Sequence, residues 1–245
     1  MRESTCACGV VLAGEDLDAL VADGVDHYGS VHPELGLNET SIRNYFEAEA
    51  RLDGPTERLD EIGGITVHRI EPGRRADILE FFDRRAFAGN PAWAMCYCMF
   101  HHIGGRNAPE WPQRTWEDNR TDLALRVDAG TTTGVVAYVD GELAGWCNAS
   151  SRSAFPSLAD GDDDDVGSIV CFVVAPPYRG HGVARSLLDG ALDLLADQGR
   201  TVAEAYPVAE PRSSASAYVG TLELYEAAGF AVASTEPLVV RKDLA

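Results

Sequence analysis

The stretch "VAPPYRGHGVARSLL", from Val174 to Leu188, constrains the fold more than any other part of the chain. It combines the end of an apolar strand, two prolines, an arginine, a glycine-broken turn and a helix. In this geometry backbone N–H groups converge at a helix N-terminus, where the helix dipole adds positive potential. Arg179 adds a bidentate phosphate donor, while Gly180 and Gly182 allow close approach. The pattern predicts an anion site, since a tight turn alone would explain the glycines but not the arginine.

The spacing in this turn identifies the kind of anion site. It is neither a Walker loop nor a Gly-x-Gly-x-x-Gly fingerprint. It resembles the Arg-x-x-Gly-x-Gly/Ala pyrophosphate loop of the GCN5-related N-acetyltransferases, with Arg179, Gly182 and Ala184 at the motif positions. The preceding "CFVVAPPYRG" is similar to that family's central strand, and the later "LYEAAGF" is similar to its "LYEKLGF" motif. The resemblance extends from about Ile65 to the C-terminus.

This resemblance implies an α+β fold, an αβα sandwich with a mixed, mostly antiparallel sheet. The sheet would split where the strands "SIVCFVV" and "TVAEAYPV" diverge, and acetyl-CoA would lie in the split. Backbone groups of the central strand would pair with the pantetheine arm, and the turn would hold the pyrophosphate. The implied contact residues are Phe172, Val173, Val174, Arg179, Gly180, His181, Gly182, Val183, Ala184 and Arg185.

The same resemblance implies direct attack of an amine on the thioester. A strand N–H near Val173 would stabilise the oxyanion. A hydroxyl whose pKa lies above the thiol value of about 8.5 can reprotonate the leaving thiolate, and Tyr225 occupies the position of that acid in the family. The alternative for Tyr225 is a helix aromatic that packs on the core.

Two departures from the family pattern affect the site. Tyr218 stands where the family usually has an asparagine that contacts the pantetheine, and the strand "SIVCFVV" lacks the carboxylate that many members carry. Glu204, in an otherwise apolar strand beside the split, is the candidate base; the alternative is a carboxylate that points to solvent. The acidic run 162–165 is interpreted as a solvated loop, with an acceptor mouth as the alternative.

A second, smaller domain is predicted before the acetyltransferase-like region. The polar segment "LDGPTERLDEIGG" suggests a domain at 1–55, a linker at 56–64 and a second domain at 65–245. The first domain is predicted to contain a short strand around "TCACGVVL", a helix at about 15–28 and a helix at about 39–51 that follows Asn38 or Thr40 as its cap. The final strand is predicted at "AVASTEPLVVRK".

The small domain carries a candidate metal site. Strand alternation would place Cys6 and Cys8 on one face, and His27 and His32 flank the end of the next helix. Two cysteines and two histidines form a tetrahedral zinc set, which would help about fifty residues with a thin core to fold. The segment loosely resembles the small predicted metal-binding domains of prokaryotes. The alternative is a helical cap with free thiols and surface histidines.

A second cluster, in "NPAWAMCYCMFHH", contains Cys96, Cys98, His101 and His102. It resembles the "CWCM" stretch of an acetyltransferase subgroup, near the acceptor site. Metal binding, redox sensing and substrate contact all remain open, and the favoured interpretation is aromatics and thiols packed under a flap, since free cysteine behaves as a small hydrophobe.

Charge limits the partners. The formal net charge is −19, and Lys242 is the only lysine. Such a surface disfavours nucleic acid and anionic membranes, and favours a cationic amine. We therefore expect a cytoplasmic N-acetyltransferase that acts on a primary amine of a small molecule or peptide, with a homodimer left open. The alternative is a CoA-binding sensor or adaptor with weak catalysis and a metal-stabilised interaction module.

Overall fold

The computed structural model describes residues 1–158, 165–209 and 216–244. The strands are β1 (Arg2–Thr5), β2 (Val11–Gly14), β3 (Ile65–Arg69), β4 (Gly134–Val139), β5 (Glu142–Ser151), β6 (Val166–Val174), β7 (Val202–Ala205), β8 (Ala231–Thr235) and β9 (Leu238–Asp243). The α-helices are α1 (Leu17–Val31), α2 (Glu39–Arg51), α3 (Arg75–Glu80), α4 (Phe100–Ile103), α5 (Trp116–Asp128), α6 (Val183–Asp197) and α7 (Leu222–Glu226). A π-helical segment, Phe81–Arg85, continues α3.

The main sheet has the strand order β3-β4-β5-β6-β7-β9-β8. Within the described ranges, each neighbouring pair is antiparallel except β6 with β7. The β4–β5 turn has positive φ at Asp140 and Gly141, as an Asp-Gly hairpin requires. The mixed, mostly antiparallel α+β fold predicted from the sequence is confirmed.

The sheet opens between β6 and β7. Their parallel ladder joins Val166–Ile169 to Val202–Ala205. Among the described residues, the part of β6 from Cys171 to Val174 pairs only with β5, and the β5–β6 ladder has an irregularity between Asn148 and Ala149. The apolar face of α6, which includes Leu187 and Leu195, packs against the sheet and positions its own N-terminus beside the opening.

Two local predictions are wrong. The final segment forms two strands, β8 and β9, because Pro237 has no N–H for a ladder and interrupts the run. β9 lies between β7 and β8. The stretch "TCACG" is not a strand throughout: β1 ends at Thr5, and the Cys6 N–H donates to the Val10 carbonyl (2.9 Å) in a turn where Gly9 has a φ of 90°. Strand alternation therefore does not bring Cys6 and Cys8 together.

The N-terminal part has its own apolar cluster. The hairpin β1–β2 packs on α1 and α2, and Asp16 and Asn38 cap these helices. The helix predicted at 15–28 is α1, displaced toward the C-terminus, whereas the bounds of α2 agree with the prediction. The cluster contains Leu12, Leu20, Val21, Ile42 and Phe46. Further along α2, Ala48 packs into the main core, so this helix belongs to both clusters.

Polar contacts of α2 attach the N-terminal part to the rest of the chain. The Asn44 amide donates to the Arg114 carbonyl (2.9 Å) and accepts from the Trp116 N–H (3.0 Å). Arg51 stacks on the Trp116 ring, 4.5 Å from its centroid. The predicted linker is also attached, because the Leu59 N–H donates to the Pro177 carbonyl (3.0 Å).

None of the helices in the described ranges is both long enough and apolar enough to span a membrane.

Candidate functional site

The N-terminus of α6 differs from that of the other long helices. Side-chain oxygens cap α1, α2 and α5, whereas α6 begins at Gly182 in the left-handed region and has no side-chain cap. Gly180 also has a positive φ, 77°. The first N–H groups of a helix have no partner within it. Those of α6 are therefore available to an anion at the end of β6.

Arg179 is positioned beside this turn by the strand that precedes it. Its Nε donates to the Val174 carbonyl (2.9 Å), which holds the guanidinium against the end of β6. Its Nη2 is buried and has no hydrogen-bond partner. An unpaired buried cationic donor is costly unless a ligand completes it. This arrangement fits a phosphate oxygen at the turn.

A second arginine, Arg58, lies over the same turn. A Cβ built on Gly180 would lie 3.1 Å from the Arg58 guanidinium carbon. Arg58 Nε lies 3.5 Å from His181 Nε2, and that nitrogen donates to the Leu59 carbonyl (2.8 Å). Sequence reasoning missed Arg58, because it comes from the predicted linker. Arg185 differs from both, since it pairs with Asp189 one turn along α6 (3.0 Å).

Tyr225 lines the interior of the sheet opening. Its ring is fully buried against Phe172 and Phe230, and its hydroxyl donates to the Val219 carbonyl (3.0 Å). A Cβ at Gly220 would lie 2.7 Å from this ring, so the position needs glycine. Burial raises the pKa of Tyr225 well above its usual value. The phenol therefore stays protonated across the neutral range.

Tyr218 belongs to an aromatic group at the mouth of the opening. Its ring lies 5.4 Å from that of Phe87 and 6.1 Å from that of Trp93, between centroids. Asn90 donates to its hydroxyl at 3.5 Å. The position predicted to contact the pantetheine therefore presents an aromatic wall made with the segment that precedes α4.

Glu204 is buried, with 2% of its surface exposed, so the solvent-facing alternative is wrong. Its carboxylate accepts from Arg241 Nε (2.6 Å) and from the Tyr206 hydroxyl (2.5 Å), and Arg152 lies 3.7 Å away. Ser168, its partner across the β6–β7 ladder, bonds the same Tyr206 hydroxyl (3.1 Å). The acidic residues 162–164 lie outside the described residues.

The four N-terminal candidate ligands lie together. One ligand atom from each of Cys6, Cys8, His27 and His32 lies within 4.8 Å of the others. Cys6 Sγ is 3.5 Å from His32 Nε2, and Cys8 Sγ is 3.5 Å from His27 Nε2. Zn–S and Zn–N bonds of about 2.3 and 2.0 Å at a tetrahedral angle place S and N about 3.5 Å apart. The Cys8 backbone N–H is the main cause that lowers the pKa of Cys6 to about 6.

The second cysteine-histidine cluster is not a metal set. His101 bonds Ser157 (2.8 Å), and His102 bonds Asn148 (3.1 Å). Cys98 instead contacts Cys171 on β6, with 3.0 Å between the sulfur atoms. Among the described residues, three or more metal-binding side chains converge only at the N-terminal set.

Comparison with known proteins identifies the fold around this site. The "Acetyltransferase (GNAT) family" profile matches residues 97–230. A search of curated proteins gives no match.

The chain is also similar to solved structures of low sequence identity. A GCN5-related N-acetyltransferase from Kribbella flavida is 21% identical, with a TM-score of 0.47 over 74% of this chain and 98% of that chain. An N-acetyltransferase from Staphylococcus aureus Mu50 is 12% identical, with a TM-score of 0.47 over 75% and 100%. The yncA protein from Salmonella typhimurium, solved with its cofactor acetyl-CoA, is 14% identical, with a TM-score of 0.45 over 74% and 94%. Because the family profile covers more than half of the sequence, the chain belongs to the GNAT family of acetyltransferases.

Proposed function

We propose that the protein transfers an acetyl group from acetyl-CoA to a primary amine of a small molecule or peptide. The observation that carries this proposal is the uncapped N-terminus of α6 with the unpartnered Nη2 of Arg179 beside it. Helix N–H groups and a bidentate guanidinium suit a pyrophosphate. Family membership gives the reaction class.

In this proposal acetyl-CoA enters between β6 and β7. The pantetheine arm pairs with the β6 backbone at Phe172, Val173 and Val174, where the ladder with β7 has ended. The pyrophosphate lies on the turn, held by Arg179 and by the α6 N-terminus at Gly180, His181, Gly182, Val183, Ala184 and Arg185. Arg58 adds a cation from the opposite side, because it already lies over Gly180.

The chemistry follows from what these groups offer. An N–H of β6 near Val173 stabilises the oxyanion that forms when the amine attacks the thioester. Tyr225 then protonates the leaving thiolate, since its raised pKa keeps the proton available. To do so, its hydroxyl leaves the Val219 carbonyl for the sulfur.

Glu204 remains the candidate base and is reached through Tyr206. The hydrogen-bonded series Ser168, Tyr206, Glu204 runs from β6 to the carboxylate. A proton taken from the amine can pass along it to Glu204. Before the proton arrives, Arg241 and Arg152 balance the negative charge of the Glu204 carboxylate.

The acceptor is a cationic amine in this proposal. The net charge of −19 attracts cations and repels anionic substrates. Comparison of a diamine with a monoamine of the same length, whose reacting form carries no charge, at low and high salt tests this point. The diamine should lose its advantage as salt rises, whereas equal turnover at low salt contradicts the preference.

A CoA-binding sensor is the second candidate. Two observations favour it: the Tyr225 hydroxyl already has an acceptor in Val219, and Tyr218 replaces the usual asparagine. Such a protein binds acetyl-CoA without turnover, and the N-terminal part then makes the partner contact.

We also propose that the N-terminal cluster holds one zinc ion. The donor set of two sulfurs and two nitrogens and the S–N distances of 3.5 Å support a closed structural site. All four positions are filled by Cys6, Cys8, His27 and His32, so the ion stabilises the hairpin and α1 rather than the reacting atoms.

The first experiment is calorimetric titration of acetyl-CoA into the zinc-loaded protein. Arg179→Ala should weaken binding by about 10- to 100-fold, because a hydrogen bond to a charged group contributes about 1.5–3 kcal/mol. Arg58→Ala should weaken it less, by about 5-fold or under, because a solvent-accessible ion pair contributes about 1 kcal/mol or less. Arg69→Ala is the control, since Arg69 pairs with Asp197 on the surface. Unchanged binding in Arg179→Ala contradicts the proposed site.

Tyr225→Phe then separates the two functions. In an amine screen it should lower thiol release by about 100-fold or more, with acetyl-CoA affinity unchanged, because general acids contribute about 10²–10⁴. Since the pKa of Tyr225 is raised, wild-type kcat should not fall between pH 7 and 9 through loss of this proton. Binding without thiol release on any amine, in wild type as well, supports the sensor.

A further inference from the structure

Two cysteines from distant parts of the chain meet beside the sheet opening. Cys98 lies in the flap segment (residues 86–115), and Cys171 lies on β6 directly before Phe172. Their sulfur atoms are 3.0 Å apart. Carbon atoms are in optimal contact at about 3.5 Å or more, and sulfur is larger, whereas a disulfide measures about 2.05 Å. The sulfurs are therefore closer than packed atoms and within about 1 Å of bonding distance.

The backbone that presents Cys98 has an unusual conformation. Tyr97 and Cys98 have φ angles of 45° and 55°, in the left-handed region that residues with a Cβ rarely occupy. The Tyr97 hydroxyl holds this turn: it donates to Asp83 (2.7 Å) and accepts from Arg51 (2.9 Å). Strain of this kind persists only where its surroundings maintain it. Here the contacts of Tyr97 maintain a backbone conformation in which the Cys98 side chain contacts Cys171.

The two thiols differ in access. Cys98 is buried, with 3% of its surface exposed, whereas Cys171 is partly exposed. Among the described residues no histidine or carboxylate completes a metal set with them. A partly exposed thiol next to a buried one is the arrangement of a cysteine that reacts with peroxide and its resolving partner.

We propose that Cys98 and Cys171 are a redox-active pair that forms a reversible disulfide between the flap segment and β6. The oxidant is a peroxide. The Cys171 sulfur attacks one oxygen of hydrogen peroxide, which gives a sulfenic acid and one water. The Cys98 thiol then displaces the hydroxyl, which gives the disulfide and a second water. Two thiols lose two electrons and two protons, and a dithiol reductant reverses the process.

The bond has a consequence for the proposed acetyl transfer, and this step rests on the proposed function. Cys171 immediately precedes Phe172, the first residue proposed to pair with the pantetheine arm. A disulfide would tie β6 to the flap segment, whose Trp93 and Asn90 contact Tyr218 at the mouth. We therefore expect acetyl transfer to slow on oxidation and to recover with dithiothreitol.

The test is mass mapping of the zinc-loaded full chain after hydrogen peroxide and alkylation. Cleavage after arginine separates peptide 86–106, which contains Cys96 and Cys98, from peptide 127–152 with Cys147 and peptide 153–179 with Cys171. We expect 86–106 joined to 153–179, two hydrogens lighter than the sum, with 127–152 free. Dithiothreitol should separate them.

Two serine variants assign the bond within peptide 86–106. Cys98→Ser should abolish the cross-link and leave Cys171 as sulfenic or sulfinic acid, and its activity with reducing agent should match wild type. Cys96→Ser is the matched control two residues away, and it should keep the cross-link. If Cys98→Ser does not fold, the wild-type map with Cys96→Ser still decides between the two cysteines.

Fully alkylated Cys98 and Cys171 after peroxide treatment would overturn the inference, as would a cross-link that survives Cys98→Ser. The mass readout does not depend on catalysis. A cross-link in a protein that acetylates no amine would leave the inference standing and remove the proposed function, and turnover without a cross-link would do the reverse.

Discussion

Cys-x-Cys occurs twice in this chain, and the two copies have opposite surroundings. Cys6 and Cys8 lie at an open hairpin turn, each sulfur 3.5 Å from a histidine nitrogen. Cys96 and Cys98 lie in the flap segment, where the Cys98 sulfur is 3.0 Å from that of Cys171. Both motifs are followed in the sequence by two histidines, His27 and His32 after the first and His101 and His102 after the second. Only the first motif turns its cysteines toward them.

The difference shows in the ionisation of the thiols. A metal ligand must be a thiolate. The Cys8 backbone N–H lowers the pKa of Cys6 to about 6, whereas burial raises the pKa of Cys98 well above its usual value. The same spacing therefore presents an anionic Cys6 in one place and neutral thiols, Cys96 and Cys98, in the other. Partners across the fold, rather than the motif, decide what the cysteines can do.

The largest effect is expected when the metal is removed from the first Cys-x-Cys, because the N-terminal part should then lose stability. One zinc ion per chain should be present in wild type and absent in Cys6→Ser, and a chelator should strip α1 and the hairpin β1–β2 of hydrogen-exchange protection. The effect is large because structural zinc binding supplies about 10–16 kcal/mol in small domains.

Cys96→Ser is the matched control, since it alters the other Cys-x-Cys and should keep the zinc. Full protection of α1 in a metal-free protein would show that the small apolar cluster suffices without the ion.

His102, which follows the second Cys-x-Cys, gives a second, smaller test. Burial is the main cause that lowers the pKa of His102 to about 4 from an ordinary value of 6.5. Below pH 6.5 the unfolded chain therefore binds the proton before the folded one, so the free energy of unfolding falls as the pH drops toward 4. A pKa shift of this size lowers the free energy of unfolding by about 3 kcal/mol when the pH falls through it.

Urea unfolding at a series of pH values measures this effect. His102→Gln should show a shallower fall in stability between pH 6.5 and 4 than wild type. Equal slopes in the two proteins would mean that His102 is not buried as a neutral ring.

Several features were accessible from sequence because local residues decide them. The Asp140-Gly141 hairpin, the bounds of α2 and the glycine turn before α6 follow from turn chemistry, caps and periodicity. The split in the sheet was predicted from the family resemblance. The short ladder between β6 and β7, which ends at Ile169, confirms it.

What the sequence could not show depends on contacts between distant residues. Cys171 contacts Cys98, which lies 73 residues earlier in the chain, and Arg58 reaches Gly180 from a segment predicted to be a linker. Periodicity tells which face of a strand is buried but not which side chain lies opposite. The β8–β9 hairpin had a local signal in Pro237, which lies inside an otherwise continuous strand pattern.

The smallest effect compares a buried cysteine outside both motifs with an exposed cysteine of the first motif when no metal is bound. Cys147 is fully buried on β5, near Cys171 on β6, and burial raises its pKa well above its usual value. Cys147→Ser places a hydroxyl in that buried site and should lower the free energy of unfolding by about 1–3 kcal/mol. Cys8→Ser, at an exposed position, should change the stability of the chelator-treated protein by about 0.5 kcal/mol or less. Urea unfolding of both variants in chelator, followed by tryptophan fluorescence, measures the difference. Equal losses of stability would mean that burial does not distinguish these two cysteines, and that their partners rather than their burial determine what each can do.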